Sequence, residues 1–220
     1  MNKTPSILVD TGFEVDANGV LTEIVTPNVV ATLNAPTKVT FLGETINYVP
    51  STAAALQEFE APNVTDITAS NGVLFADYTA LTTVSFAKLA SVSISSNERS
   101  VLKGCTALVT LSLPLLSTIS VGNTSWSGFL WGCQSLVNLT LPCLTSTTGT
   151  SSNSGAFRAC TGLQNVQLGS EGHAVTALSS YTFSSCTQSG LTITIYTSGG
   201  AAISGSPWGA TNATIVYEEA

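Results

Sequence analysis

A phrase recurs along this chain every 25 to 28 residues. The clearest copies read CTALVTLSLPLLSTI from Cys105, CQSLVNLTLPCLTST from Cys133 and CTGLQNVQLGS from Cys160. Looser copies precede them: AALQEFEAPNVTDI from Ala54 and YTALTTVSFAKLASV from Tyr78. A last one, SGLTITIYTSGG, starts at Ser189. A period of this length predicts a solenoid, in which each unit buries its apolar face only against its neighbours.

Aligned on the leucine that opens each copy (Leu56, Leu81, Leu108, Leu136, Leu163 and Leu191), the copies share an L-x-x-L-x-L spacing. Such spacing predicts one short strand per coil with two side chains pointing inward. The inward pairs are Phe59 and Ala61, Val84 and Phe86, Leu111 and Leu113, Leu139 and Leu141, Val166 and Leu168, and Ile193 and Ile195. The residues between them form an outward polar face. It is nearly uncharged after the first row, and Asn138, Thr140, Asn165 and Gln167 are its centre. Leu21, in GVLTEIVTPNVV, reads as a degenerate earlier member. Pro114 and Pro142 follow their strands and withhold a ladder donor there. A second apolar pair recurs at Val64 and Ile67, Leu89 and Val92, and Leu116 and Ile119; at Leu144 the second partner is Thr147.

The composition agrees with β structure and narrows function. The chain is 44% hydrophobic and 9% charged, where an average globular protein is roughly 25% charged. Ser, Thr, Asn and Gly replace the missing charge. Disorder would show the opposite balance. A net charge of −7 opposes nucleic-acid binding, which needs clustered Lys and Arg. It equally opposes an electrostatic anchor on anionic lipid. Between Gly104 and Tyr217 only Arg158 and Glu171 are charged. No apolar run is long enough to span a bilayer, so no membrane insertion is expected. The N-terminus lacks the apolar core of a signal peptide. The expectation is therefore an extracellular, cell-surface or virion protein whose leader has been removed or which is released by lysis.

Most site chemistry fails on spacing. Cys105, Cys133, Cys160 and Cys186 are spaced 28, 27 and 26 residues apart. That is the repeat period, so they form a column and do not converge on a metal; paired ligands such as C-x-x-C are missing. Buried thiols acting as small apolar residues are expected, with disulfides between adjacent coils as the alternative. Cys143 is out of register and is the candidate for an exposed thiol. His173, the one histidine, lies in the loop GSEGHAV beside Glu171, and no G-x-S-x-G element accompanies it. Polysaccharide-cleaving β-helix enzymes are the enzymatic rival, and they require gathered carboxylates. Only Glu58, Glu60, Asp66 and Asp77 could gather, and a solvated sheet edge is the simpler expectation for Glu58 and Glu60. No catalytic residue, metal or cofactor is expected. Asn-x-Ser/Thr sequons at Asn63, Asn123, Asn138 and Asn212 are expected by chance in so Thr-rich a chain. Tryptophans are the stronger lead, because aromatic rings beside neutral polar groups suit stacking on sugars or apolar patches. Trp126 and Trp131 lie in NTSWSGFLWGC and Trp208 in the C-terminal segment SPWGATNATIVYEEA.

The pattern C-x-x-L-x-x-V-x-L-P-x-L-x-x-I, followed by a loop and F-x-x-C, resembles the BspA-type leucine-rich repeats of bacteria and their phages. The resemblance covers roughly Ala53 to Ile195. It implies an all-β-rich, right-handed solenoid of about six coils. It also implies a non-enzymatic binding or adhesion role at a surface, and its members share no common ligand. The expected organisation is an irregular N-terminal cap over residues 1–50, the repeat array over 51–195, and a C-terminal cap with a final strand over 196–220. VTFLGETINYV is expected to give a strand pair in the first cap. The expected partners are a glycan or a protein surface. A structural or receptor-binding component of a phage tail or surface appendage, built as a homo-oligomer, is the alternative.

Overall fold

A computed structural model describes residues 7–9, 13–15, 20–24, 38–41, 46, 55–69, 74–95, 100–122, 127–149 and 153–220. The strands run in chain order as β1 (Ile7–Val9), β2 (Phe13–Val15), β3 (Val20–Ile24), β4 (Lys38–Phe41), β5 (Glu58–Glu60), β6 (Asp66–Ala69) and β7 (Phe75–Ala76). They continue as β8 (Thr83–Ser85), β9 (Ser91–Ile94), β10 (Ser100–Lys103), β11 (Thr110–Ser112), β12 (Thr118–Val121), β13 (Gly128–Trp131) and β14 (Asn138–Leu141). The last are β15 (Ser146–Thr148), β16 (Phe157–Arg158), β17 (Asn165–Leu168), β18 (Thr192–Thr197) and β19 (Thr214–Glu219). The described helix is one three-residue 3₁₀ turn, Ser198–Gly200.

The molecule is an all-β parallel solenoid of about four turns. Each turn visits three faces in order. The first, the strand face, holds β5, β8 and β11 and then β14, β17, β18 and β19. The second holds β6, β9, β12 and β15, and the third β7, β10, β13 and β16. Stacking is in register at the repeat period: Asn138 lies beside Asn165 and Asn165 beside Thr192. Towards the N-terminus, β4 pairs parallel with β5 and β3 with β4. Leu21 thus occupies a strand stacked beneath the repeats. The strand pair expected in VTFLGETINYV is seen as β4 alone; the rest of that segment, except Ile46, lies outside the described residues. β1 and β2 add antiparallel strands at that end.

The expected core assembles. All six strand-opening leucines are fully buried. Phe59, Val84, Leu139, Val166 and Ile193 are buried on the strand face, as are the second members of each inward pair. Leu111 is the exception, being only partly buried. The apolar residues three positions before each Cys-type position (Phe75, Leu102, Leu130, Phe157 and Phe183) are all fully buried. Phe59 meets Phe75 edge-on at 4.8 Å between ring centroids, and Phe75 meets Tyr78 at 5.5 Å. Both are favourable aromatic geometries.

Each coil turns the corner before its Cys-type position with one residue in the left-handed region. These are Asp77 (φ 58°), Gly104 (67°), Gly132 (71°), Ala159 (51°) and Ser185 (63°). The amides of Asp77, Gly104, Gly132 and Ala159 donate to the carbonyls of Lys103, Trp131, Arg158 and Ser184 in the next coil. Hydroxyls make a second stair. Ser117 Oγ donates to the Ala90 carbonyl, Thr145 Oγ1 to Ser117 and Thr176 Oγ1 to Thr145, at 2.9, 3.0 and 3.2 Å. The Ser and Thr that replace charge therefore carry inter-coil hydrogen bonds at the corners.

The strand face is interrupted once. β11 pairs with β8 below it, and β14 with β17 above it, but no ladder joins β11 to β14. The other two faces continue through the same level, where β12 pairs with β15 and β10 with β13. Pro142 has no amide to give, whereas its counterpart one coil later, Gly169, donates to the Leu141 carbonyl at 2.9 Å. Pro114 has the same defect without opening the β8–β11 pair, so proline alone does not explain the break.

Candidate functional site

The outward residues of β14, β17 and β18 enclose a shallow depression of about 290 Å³. It is lined by Asn138, Thr140, Asn165, Gln167, Thr192 and Thr194, with Val166 at its floor. The four strand-face residues singled out from the sequence therefore come together here. Their alignment follows from the parallel register, which repeats the same outward position in successive coils. Asn165 Nδ2 donates to Asn138 Oδ1 at 2.9 Å, a step of an asparagine ladder. Gln167 Nε2 donates to the Gly169 carbonyl at 3.3 Å. These bonds fix the amides before any ligand arrives, and a fixed amide loses less entropy on binding. The Asn138 amide hydrogens, the Asn165 and Gln167 side-chain carbonyls and the hydroxyls of Thr140, Thr192 and Thr194 remain as mixed, uncharged donors and acceptors. Such a surface can read hydroxyls or backbone amides; it holds no group able to move a proton near neutral pH. Thr192 and Thr194 also belong to this wall, and their signal in the sequence was their place in the same outward rows.

The tryptophans lie elsewhere. Trp126 is outside the described residues. Trp131 sits on the third face between Lys103 and Arg158, its register neighbours in the coils below and above. The Lys103 ammonium is 4.5 Å, and the Arg158 guanidinium 5.3 Å, from its ring centroid. Those are cation–π contacts, so the ring is engaged within the stack. Trp208 is fully buried, and its Nε1 donates to the Ser204 carbonyl at 2.9 Å. Its own carbonyl accepts from the Phe183 amide at 2.9 Å. Trp208 plugs the C-terminal end of the stack and offers no stacking surface, a correction to its place among the ligand-binding candidates. Its ring is part of the same apolar core as the coils before it.

The cysteine column is buried and free of disulfides: Cys105, Cys133, Cys160 and Cys186 are all unpaired thiols. Cys105 Sγ donates to Phe75, Cys133 Sγ to Leu102 and Cys186 Sγ to Phe157, each a carbonyl of the preceding coil, at 3.6, 3.8 and 3.1 Å. Burial pushes the Cys105 and Cys186 thiols up to about 12. Cys160 is raised as well, through its contact with Cys133 and its burial. These thiols stay protonated and unreactive at neutral pH. Cys143 is only half-buried.

The four carboxylates singled out in the first coils are divided between the faces and a corner of the stack. Glu58 and Glu60 share an outward face, but Lys38 on β4 lies between them at 3.0 and 3.3 Å. Hydrogen bonds to both glutamates raise the Lys38 pKa, so the cation persists. Asp66 is on the second face, held below its ordinary pKa by Ser91 and Thr65. Asp77 occupies a corner after β7. His173 is exposed, and its Nδ1 is 3.5 Å from Ser170 Oγ. Among the described residues, no three His, Cys, Asp or Glu side chains are grouped to hold a metal ion. No helix among them is long and apolar enough to cross a membrane.

Comparison with protein-family models, with curated proteins and with solved structures finds no match to this chain.

Proposed function

We propose that this protein is a non-enzymatic surface-binding or adhesion protein that recognises a glycan or a protein surface through its polar strand face. The observation that carries the proposal is the uncharged depression of Asn138, Thr140, Asn165, Gln167, Thr192 and Thr194, with two of its amides already held in place. Mixed neutral donors and acceptors match sugar hydroxyls and peptide groups, and their preorganisation favours binding. The low charge of this half of the chain supports a neutral ligand. A site at the cell surface or on a virion is part of the same proposal. So are membership of the BspA-type leucine-rich repeats and a count of about six coils, which includes the partial coils at either end.

The test is a screen of the purified protein against immobilised glycans and extracellular proteins, repeated with Asn165→Ala/Gln167→Ala. Loss of about tenfold or more in affinity in the variant, with circular dichroism unchanged, supports the proposal. Binding that survives in full contradicts it. A symmetric oligomer with no ligand would point instead to a structural part of a tail or appendage.

A further inference from the structure

The break in the strand face is a second feature with binding chemistry, separate from the polar depression. In the intact β8–β11 pair, Thr110 donates to the Thr82 carbonyl below, and Phe86 donates upward to Ser112. By the same register, the upward-facing groups of β11 are the Val109 carbonyl, both backbone groups of Leu111 and the Leu113 amide. The downward-facing groups of β14 are those of Asn138 and Thr140. None of these joins β11 to β14 among the described residues. Two parallel edges therefore face one another with unmatched donors and acceptors, and unmatched backbone groups recruit a strand.

The side chains around the break are also unusual for this molecule. Val109, Leu115 and Val137 are the large hydrophobics most exposed among the described residues, at 57%, 49% and 37%. Val109 and Val137 immediately precede the two strands. Leu115 follows β11, and half-buried Cys143 occupies the matching place after β14. Leu111, whose counterparts in the other coils are buried, is half-open here. Three features thus coincide at one place: unpaired edges, an incompletely covered core residue and an apolar rim.

We infer that the β11–β14 break is a docking groove for one extended, uncharged segment of a partner protein, added as a parallel strand. Extended backbone is the occupant because only a strand meets both rows of groups at once, the β-augmentation mode of peptide recognition. The register sets its side chains. One residue points inward between Leu111 and Leu139 and is aliphatic. Its two neighbours point outward beside Thr110, Asn138, Ser112 and Thr140 and are small and polar. A charge is excluded at the inward position because it would be buried without a partner.

The test uses the full chain and a synthetic acetylated Val-Thr-Leu-Ser-Leu amide, with Val-Thr-Pro-Ser-Leu as the control that cannot ladder. The readouts are hydrogen exchange at residues 109–113 and 138–141 and alkylation of Cys143. In the free protein, the Leu111 amide exchanges faster than that of Val84. The first peptide slows exchange at both edges and protects Cys143, and the proline control does neither. Val109→Asp, an exposed substitution compatible with folding, weakens the peptide by about tenfold, the worth of one buried valine. Asn165→Ala/Gln167→Ala leaves peptide binding intact, so failure of the groove and failure of the polar depression are distinguishable. Slow exchange of Leu111 in the free protein, equal protection by both peptides, or no protection by either would overturn the groove. So would protection that rises with protein concentration alone, which would assign the break to a second copy of the chain.

Discussion

One backbone position decides how each coil turns. The residue before the Cys-type position takes positive φ in five successive coils, although its side chain varies from Gly to Asp, Ala and Ser. A side chain there is strained, while glycine is at ease. Gly132 isolates the effect, because a β-carbon at that position would meet nothing within 4 Å. Gly132→Ala is expected to lower stability by about 1 kcal/mol, and Ala159→Gly to raise it by about 0.5 kcal/mol after the entropy of the unfolded glycine is deducted. Urea denaturation of the two variants checks both signs. The same corners hold the thiols. With Cys105 and Cys186 raised from 9.0 to about 12, the unfolded chain loses protons at a lower pH than the folded one. Their contribution is thus full below pH 9 and is lost as pH rises from 9 towards 12. Denaturation midpoints should fall over that window, and less steeply in Cys105→Ala/Cys186→Ala. A thiol reagent at pH 8 should modify Cys143 alone in the native protein.

At the scale of the element, periodicity in the sequence was enough to give one strand per coil and its inward residues, whereas the strands of the second and third faces were read only as recurring apolar positions. Leucines and the positions three and five residues after them recur because each coil buries the same spots on the next. Three matters were not legible there. The opening between β11 and β14 leaves a repeat of ordinary appearance, VTLSLP, so neither spacing nor hydropathy marks it. Trp131 could be placed on its strand, but its cationic neighbours Lys103 and Arg158 come from other coils and appear only once the register is known. Thr147 breaks the apolar pattern for a reason that is likewise long-range. Its hydroxyl lies 2.7 Å from Thr182 Oγ1 and accepts from the Ser179 amide at 3.0 Å, anchoring the loop after β17 to the second face. Thr147→Val keeps the shape and strands those partners. It should cost about 1–3 kcal/mol, with faster amide exchange at Ser179 as its local signature; an unchanged stability would show that the hydroxyl is incidental.

At the scale of the whole molecule, stacking and the proposed recognition fall to different surfaces. The interior, the thiol column and the hydroxyl stairs serve only to pile one coil on another, which is why they repeat. The C-terminal end is closed by buried Trp208 and by β19, paired parallel with β18 and ending in exposed Glu218 and Glu219. The candidate site could be located in the sequence as outward polar rows, since Asn138, Thr140, Asn165 and Gln167 needed only the period to be found. Trp208 does not join them, because its ring is packed in the core. The most direct measurement is the side-chain amide NMR spectrum of the protein titrated with a glycan or protein captured in the screen. Shifts concentrated at Asn138, Asn165 and Gln167, with the Trp131 and Trp208 indole signals unmoved, are the expected result. Shifts confined to the third face or to the C-terminal cap, with those three amides unmoved, would contradict recognition through the strand face.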